Sequence, residues 1–137
     1  PWVDRERIAV MGWSHGASAA LFVESLADFY GAPPVRAVVS VYPGCETLDT
    51  RSHQPTLLLL AGKDDWTPPA DCLLAGASMK DEGRPVSIVL YPEASHLYDA
   101  PGPMRDYLGH RIGFDASATR DSRLQVSRFL AREFEAR

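Results

Sequence analysis

The sequence predicts an α/β fold in which about four parallel strands lie between layers of helices. Two observations favour this class. Four short apolar runs lack clean alternation with polar residues, which is typical of strands buried on both faces. Segments with helical spacing separate or follow these runs, in the order of βαβ units. The 137 residues suffice for one hydrophobic core, so we expect a single domain over residues 1–137.

The predicted strands are the apolar runs themselves. Glycine, proline or charged residues bound each run, and the second and fourth runs are rich in β-branched side chains. The four runs are Arg7 to Gly12, Ala37 to Tyr42, Thr56 to Ala61 and Val86 to Tyr91.

Two helices are predicted between these strands. One covers Ala17 to Tyr30 and ends at Gly31, and the other opens at Pro68-Pro69 and closes at Gly83. The first helix places Phe22, Leu26 and Phe29 or Tyr30 on one face, and the second carries the apolar residues Leu73, Leu74 and Met79.

The last part of the chain contains one more helix and one long loop. From about Ala118 onward, apolar residues recur at helical spacing. The segment from Ala100 to Asp115 shows no such recurrence and is predicted to be a surface loop. These residues complete a sheet covered by helices on its faces.

Composition and charge exclude several classes of function. The 14 basic and 18 acidic residues leave a net charge of −4 without a block of like charge, which argues against a nucleic-acid surface or a polybasic membrane anchor. The longest aliphatic run, Leu57 to Ala61, is far shorter than the ~20 residues that span a bilayer. We therefore expect a small-molecule partner. No targeting segment is recognisable, so the sequence leaves the compartment open.

The segment Gly12-Trp13-Ser14-His15-Gly16 matches the pattern G-x-S-x-G between a predicted strand and a predicted helix. In this context the serine occupies a sharp turn that presents its hydroxyl above the sheet, at the positive end of the helix. The small flanking residues make that turn possible. A tight turn that only packs, or that binds phosphate through its amides, is the alternative interpretation.

A base and an acid follow later strands, as a serine nucleophile requires. His96 follows the fourth strand within a short loop, whereas Asp64 and Asp65 follow the third strand. The order Ser, Asp, His is that of the α/β-hydrolases. The backbone N–H of His15 is the expected oxyanion donor, because it follows the nucleophile. Asp99 is expected to serve a turn or a helix cap.

Four apolar or aromatic residues flank these groups, and two interpretations of them stay open. They could line an apolar substrate pocket, or they could pack ordinarily around the strand ends. The four residues are Trp13, Trp66, Leu97 and Tyr98.

Cys45 and Cys72 lack the C-x-x-C spacing of zinc or redox motifs, and we expect neither a metal nor a cofactor. Each cysteine follows the carboxyl edge of one of two successive strands, which are commonly neighbours in such a sheet. The two sulfur atoms are therefore candidates for a disulfide, with two free thiols as the alternative.

The chain resembles the carboxy-terminal half of a dienelactone hydrolase family protein. The segments that carry the resemblance are Asp4 to Ile8 leading into the elbow, Tyr42 to Cys45, Asp64 to Pro68, and Tyr91-Pro92 running to His96. The family's D-x-x-x-P pattern matches Asp64 to Pro68, which favours Asp64 over Asp65 as the acid. Dienelactone hydrolase proper uses a cysteine nucleophile where this chain has Ser14, so the substrate need not be dienelactone.

The resemblance implies a serine hydrolase that cleaves carboxylic esters or lactones through an acyl-enzyme. A peptidase or acyltransferase on the same framework, or a non-catalytic interaction module, is the alternative. The dienelactone hydrolase family is part of the α/β-hydrolase superfamily, in which the nucleophile normally follows the fifth strand of a sheet of about eight. We therefore expect about four amino-terminal strands and a second oxyanion donor to be missing from this sequence. The missing half, or a second copy, is then the expected partner for the edge of the first strand.

Overall fold

The computed structural model describes residues 2–22, 31, 35–46 and 53–135. Within these residues the chain forms six strands and three helices. The strands are β1 (Ala9–Trp13), β2 (Ala37–Val41), β3 (Thr56–Ala61), β4 (Val86–Tyr91), β5 (Arg105–Tyr107) and β6 (His110–Ile112), and the helices are α1 (His15–Leu21), α2 (Pro69–Asp81) and α3 (Ala116–Glu135).

The first four strands form one parallel sheet in the order β1-β2-β3-β4. This arrangement confirms the predicted α/β class. β3 and β4 have the bounds expected from their apolar runs, and β1 begins two residues later than expected. Because all four strands are parallel, their carboxyl ends meet at one edge of the sheet, and the loops that follow them lie close together.

Successive residues of the central strands point to opposite faces of the sheet and divide the core into two clusters. Val39 and Leu59 pack on the face that Ala118 and Phe129 of α3 cover. Leu58 packs on the other face, and the remaining buried residues of that cluster include Ala20, Leu21, Val38, Leu60 and Cys72. Helices on both faces produce the three layers that the sequence predicts.

The buried face of α2 contains one of the three large apolar residues named in the predicted helix. Met79 is buried together with Cys72 and Gly76, whereas Leu74 is 71% exposed and Leu73 is 38% exposed. A Cβ atom at Gly76 would lie 2.3 Å from Cδ1 of Ile88. The helix therefore approaches the sheet partly through small side chains, which a count of large apolar residues does not identify.

The other two helices are present with different limits. α1 ends at Leu21, and the predicted apolar positions Leu26, Phe29 and Tyr30 lie outside the described residues. α3 begins two residues before the predicted start. The side chain of Asp115 accepts hydrogen bonds from the backbone N–H groups of Ser117 and Ala118, both at 2.9 Å, and so caps this helix.

The predicted loop from Ala100 to Asp115 contains an antiparallel hairpin formed by β5 and β6. Leu108 and Gly109 make its turn, with φ values of 50° and 86°. Positive φ at both central residues suits the twist of a two-residue hairpin. The prediction of a loop was wrong here because strands of three residues, most of them exposed, are too short to show a periodic pattern.

Candidate active site

Ser14 occupies a strained turn between β1 and α1. Its φ is 52°, and its carbonyl oxygen accepts hydrogen bonds from the N–H groups of Ala17 and Ser18. A Cβ atom at Gly12 would lie 2.1 Å from the carbonyl oxygen of Gly16, so only glycine fits at the position two residues before the serine. The close contact between strand and helix turns the chain sharply and presents the hydroxyl at the sheet edge.

Three side chains from three different loops form one hydrogen-bonded chain at this edge. Ser14 Oγ lies 2.9 Å from His96 Nε2, and His96 Nδ1 lies 2.7 Å from Asp64 Oδ2. His96 is only 2% exposed and Asp64 only 5% exposed. The arrangement places a hydroxyl, a base and an orienting carboxylate in the order that nucleophilic catalysis needs.

The carboxylate of Asp64 is held by its own loop. Oδ1 accepts hydrogen bonds from the backbone N–H groups of Trp66 and Thr67, both at 2.9 Å. Thr67 Oγ1 lies 3.0 Å from Oδ2 and 3.2 Å from His96 Nδ1. These contacts leave Asp64 one orientation, in which Oδ2 faces the imidazole.

Asp65 points away from the imidazole. Its carboxylate accepts a hydrogen bond from the backbone N–H of Arg111 at 3.2 and 3.3 Å, and Oδ1 lies 3.5 Å from His110 Nδ1. Both partners belong to β6. Of the two neighbouring acids, the structure brings Asp64 to His96 and brings Asp65 to the hairpin.

Asp99 links the end of β1 to the loop after β2, where the sequence analysis expected it to serve a turn or a helix cap. Trp13 Nε1–H donates to Asp99 Oδ2 at 2.7 Å, and the Tyr42 hydroxyl donates to Oδ1 at 2.6 Å. Burial and this carboxylate raise the pKa of Tyr42 above its usual range, so the hydroxyl remains a donor. The Tyr42 ring lies 4.7 Å from the His96 ring. The position of Asp99 three residues after His96 was the available signal.

A cavity of about 450 Å³ opens beside Ser14. Ser14, His15 and Trp66 line it, and the other lining residues are Ser18, Ala19, Phe22, Gly44, Glu46 and Thr67. Of the four predicted pocket residues, only Trp66 is among them. Tyr98 is buried in the core instead, and Leu97 packs against the same core cluster.

Trp13 lies at a second cavity, of about 230 Å³, on the side of the sheet that α3 covers. Its other lining residues are Met11, Val41, Leu59, Asp99, Ser122, Arg123 and Val126. Trp13 directly precedes Ser14 in the chain. Consecutive residues at a strand end face opposite sides of a sheet. Its side chain therefore does not contribute to the wall of the larger cavity.

Cys45 and Cys72 form a disulfide with their Cα atoms 5.0 Å apart. Cys45 belongs to the loop after β2, and Cys72 lies in the first turn of α2, just after the loop that carries Asp64. Both residues are buried. The bond joins the loop after β2 to the first turn of α2, on the larger cavity's side of the sheet.

The described part of the structure lacks a cluster of side chains that could bind a metal. Among the described residues, no group of three or more His, Cys, Asp or Glu side chains could hold a metal ion. No helix in the same residues has the length and apolar character to cross a membrane.

Several solved structures share this fold at low sequence identity. A protein described as a possible dienelactone hydrolase from Klebsiella pneumoniae is 20% identical, with a TM-score of 0.71, over 93% of this chain and 53% of its own. One of two esterases from Rhizomucor miehei is 14% identical, with a TM-score of 0.74, over 96% and 53%. The acylaminoacyl peptidase of Pyrococcus horikoshii is 16% identical, with a TM-score of 0.74, over 96% and 25%.

The chain spans about half the length of the first two of these proteins. Among curated proteins, none matches the chain. A family model described as the dienelactone hydrolase family matches residues 1–134, which is nearly the whole sequence. This match agrees with the parallel sheet and with the strained serine turn at its edge. The chain belongs to the dienelactone hydrolase family.

Proposed function

We propose that this chain carries the catalytic residues of a serine hydrolase that cleaves carboxylic esters or lactones through an acyl-enzyme. The observation that carries the proposal is the chain of hydrogen bonds from the half-buried Ser14 to the buried His96 and Asp64. The chain's membership of a hydrolase family supports hydrolysis as the general class of reaction. The ester or lactone bond and the roles of the three residues are the parts that experiment must test.

In the first step, Ser14 Oγ attacks the carbonyl carbon as His96 Nε2 accepts the hydroxyl proton. The carbonyl π electrons move to oxygen and form a tetrahedral oxyanion. Asp64 accepts the Nδ1–H hydrogen bond, fixes the tautomer and stabilises the imidazolium. The 2.9 and 2.7 Å distances are within hydrogen-bond reach before substrate arrives.

The oxyanion then needs donors aimed at it. His15 opens α1 beside the nucleophile and lines the cavity, and its backbone N–H is the first donor. A second donor normally comes from the loop after an early strand. When the oxyanion collapses, the bond to the alcohol oxygen breaks and His96 gives its proton to that oxygen. A water molecule, deprotonated by His96, then hydrolyses the acyl-enzyme.

Labelling of the full-length protein by a fluorophosphonate probe tests the nucleophile. We expect covalent labelling of the wild type and of Ser127→Ala, a control on the exposed side of α3. We expect no labelling of Ser14→Ala. Folded wild-type protein that resists the probe would contradict the proposal and favour a non-catalytic interaction module.

The bond that is cleaved requires a second experiment, because the fold is shared with an acylaminoacyl peptidase as well as with esterases. We expect turnover of p-nitrophenyl esters at a kcat/KM far above that of matched acyl p-nitroanilides. A preference for the anilides would replace the esterase proposal with a peptidase. Transfer of the acyl group to an added alcohol, faster than hydrolysis, would indicate an acyltransferase.

A further inference from the structure

Trp66 is one of the aromatic residues that line the Ser14 cavity. It follows Asp64 by two residues, and its ring centroid lies 5.3 Å from that of His96, with 34° between the ring planes. The indole therefore stands beside the base itself. A substrate group that occupies this part of the cavity must contact the indole.

The hairpin supplies the neighbours that orient the indole. The His110 ring lies 4.7 Å from the Trp66 ring and is nearly parallel to it, with 15° between the planes. The Tyr107 ring lies 6.0 Å away on the facing strand. These separations are within the range of offset aromatic pairs. Residues of β5 and β6 thus restrict where the indole can lie.

Two attachments fix the hairpin beside the site. Asp65 accepts a hydrogen bond from the backbone N–H of Arg111 and contacts His110. These two contacts join β6 to the loop that carries Trp66. On the other side, Ile112 bridges to His96, and Gly113 N–H donates to the His96 carbonyl at 3.1 Å. The hairpin therefore connects the acid loop to the histidine loop.

The position of Trp66 relative to His96 identifies the part of the substrate that it contacts. His96 must give a proton to the leaving alcohol oxygen, so that oxygen lies within hydrogen-bond reach of Nε2. The alcohol group is therefore on the His96 side of the nucleophile. That is the side on which Trp66 stands.

Resting on the proposed esterase function, we propose that Trp66 is a specificity-determining residue that selects esters of planar, aromatic alcohols. His110 stacks on one face of the indole, and on the face that remains a planar ring makes closer stacking contact than a puckered ring of similar size. Asp65 and His110 are positioning residues. Asp65 holds the hairpin and His110 stacks on the indole, so both act on the substrate through Trp66. This assigns Asp65 a role distinct from that of its neighbour Asp64.

A matched pair of acetates tests the proposal in the full-length protein. Benzyl acetate and cyclohexylmethyl acetate share the acyl group and differ in whether the alcohol ring is planar. The readout is the ratio of their kcat/KM values, which a general loss of activity does not change. We expect the wild type to favour benzyl acetate by about 3- to 10-fold, the size of one aromatic pair.

Variants separate stacking from support. Trp66→Leu should bring the ratio close to one, and Trp66→Phe should retain most of it. Asp65→Ala should lower the ratio by about half or more, because the hairpin loses one attachment. Asp106→Ala is the matched control, since among the described residues this hairpin carboxylate pairs with the exposed Arg111 guanidinium alone. It should leave the ratio unchanged.

Two outcomes would overturn the inference. One is a wild-type ratio near one in protein that the fluorophosphonate probe labels at Ser14, and the other is an equal loss of both acetates in Trp66→Leu. If Asp65→Ala and Asp106→Ala have equal ratios, the positioning role of Asp65 is wrong. Protein that hydrolyses neither acetate and resists the probe would instead contradict the proposed function itself.

Discussion

The strand-end region around Ser14, Asp64 and His96 and the hairpin of β5 and β6 lie side by side but are built differently. In the first, Asp64 and His96 are buried and Ser14 is half-buried, and all three follow strands of a four-stranded sheet. The second is mostly exposed and has three residues in each strand. The comparison teaches that reactive groups are placed where the sheet anchors the backbone, whereas the residues that support the cavity wall come from the periphery.

Asp64 and Asp65 show the difference most directly, because one peptide bond separates them. Asp64 is buried and accepts hydrogen bonds from its own loop and from His96. Asp65 has a side chain that is 52% exposed, and it holds the hairpin. A single step along the chain thus passes from one region to the other.

The largest expected effect is the loss of the buried acid. Asp64→Asn should lower kcat/KM for p-nitrophenyl acetate by about 10³- to 10⁴-fold, because the amide cannot stabilise the imidazolium and favours the wrong tautomer. Asp65→Asn should lose at most about 10-fold. Steady-state kinetics of both variants, with Asp106→Asn as the control on the hairpin, measure the contrast. The reverse order would transfer the acid role to Asp65.

The second effect concerns stability in the strand-end region, where the disulfide lies. The bond closes a segment with a sequence separation of 27 residues. Replacing both cysteines by alanine should lower the free energy of unfolding by about 2–4 kcal/mol, measured by urea denaturation. Alkylation of both cysteines in unfolded, unreduced wild-type protein would show that the bond does not form in that preparation.

The third effect tests the link that Asp99 makes. Asp99→Asn can accept through only one oxygen, so either Trp13 or Tyr42 loses its acceptor. We expect kcat for p-nitrophenyl acetate to fall by about 10- to 100-fold with little change in KM, because Ser14 and His96 lose their mutual alignment.

Asp121→Asn is the matched control for this variant. Asp121 also accepts a hydrogen bond from a tyrosine hydroxyl, that of Tyr91, but it lies on α3 away from the nucleophile. It should leave kcat unchanged. Equal losses of kcat in the two variants would show that Asp99 only supports the fold.

The smallest effect is a dependence of stability on alkaline pH. Burial raises the pKa of Tyr42, Tyr91 and Tyr98 above the usual range. Their neutral form is favoured in the folded state, so this contribution is complete below about pH 10, where tyrosine in the unfolded chain titrates. Above that pH, the free energy of unfolding should fall.

Urea denaturation between pH 8 and 11 measures this dependence. Tyr42→Phe should make the decline shallower, because one buried hydroxyl no longer resists ionisation. Tyr107→Phe is the control from the hairpin, since its side chain is half exposed. A decline that is equal in both variants would locate its cause outside the buried tyrosines.

Much of the architecture could be predicted from local sequence. The runs at Thr56–Ala61 and Val86–Tyr91 correspond to strands with those bounds. The G-x-S-x-G segment predicted the turn at Ser14, and the strand order predicted that His96 and an aspartate would meet it. Periodicity and glycine sterics act over short segments, so a local stretch of sequence reveals them. The common edge of parallel strands then follows from the order of the strands along the chain.

The tertiary structure decided what depends on direction rather than on position along the chain. From the sequence, Asp64 and Asp65 are one residue apart and chemically alike, and only the path of the loop points one inward and the other at the hairpin. The buried face of α2 depends on direction in the same way, because Gly76, which has no side chain, lets the helix approach Ile88 of the sheet. A sequence records which groups are available, whereas packing between distant segments determines which way each of them points.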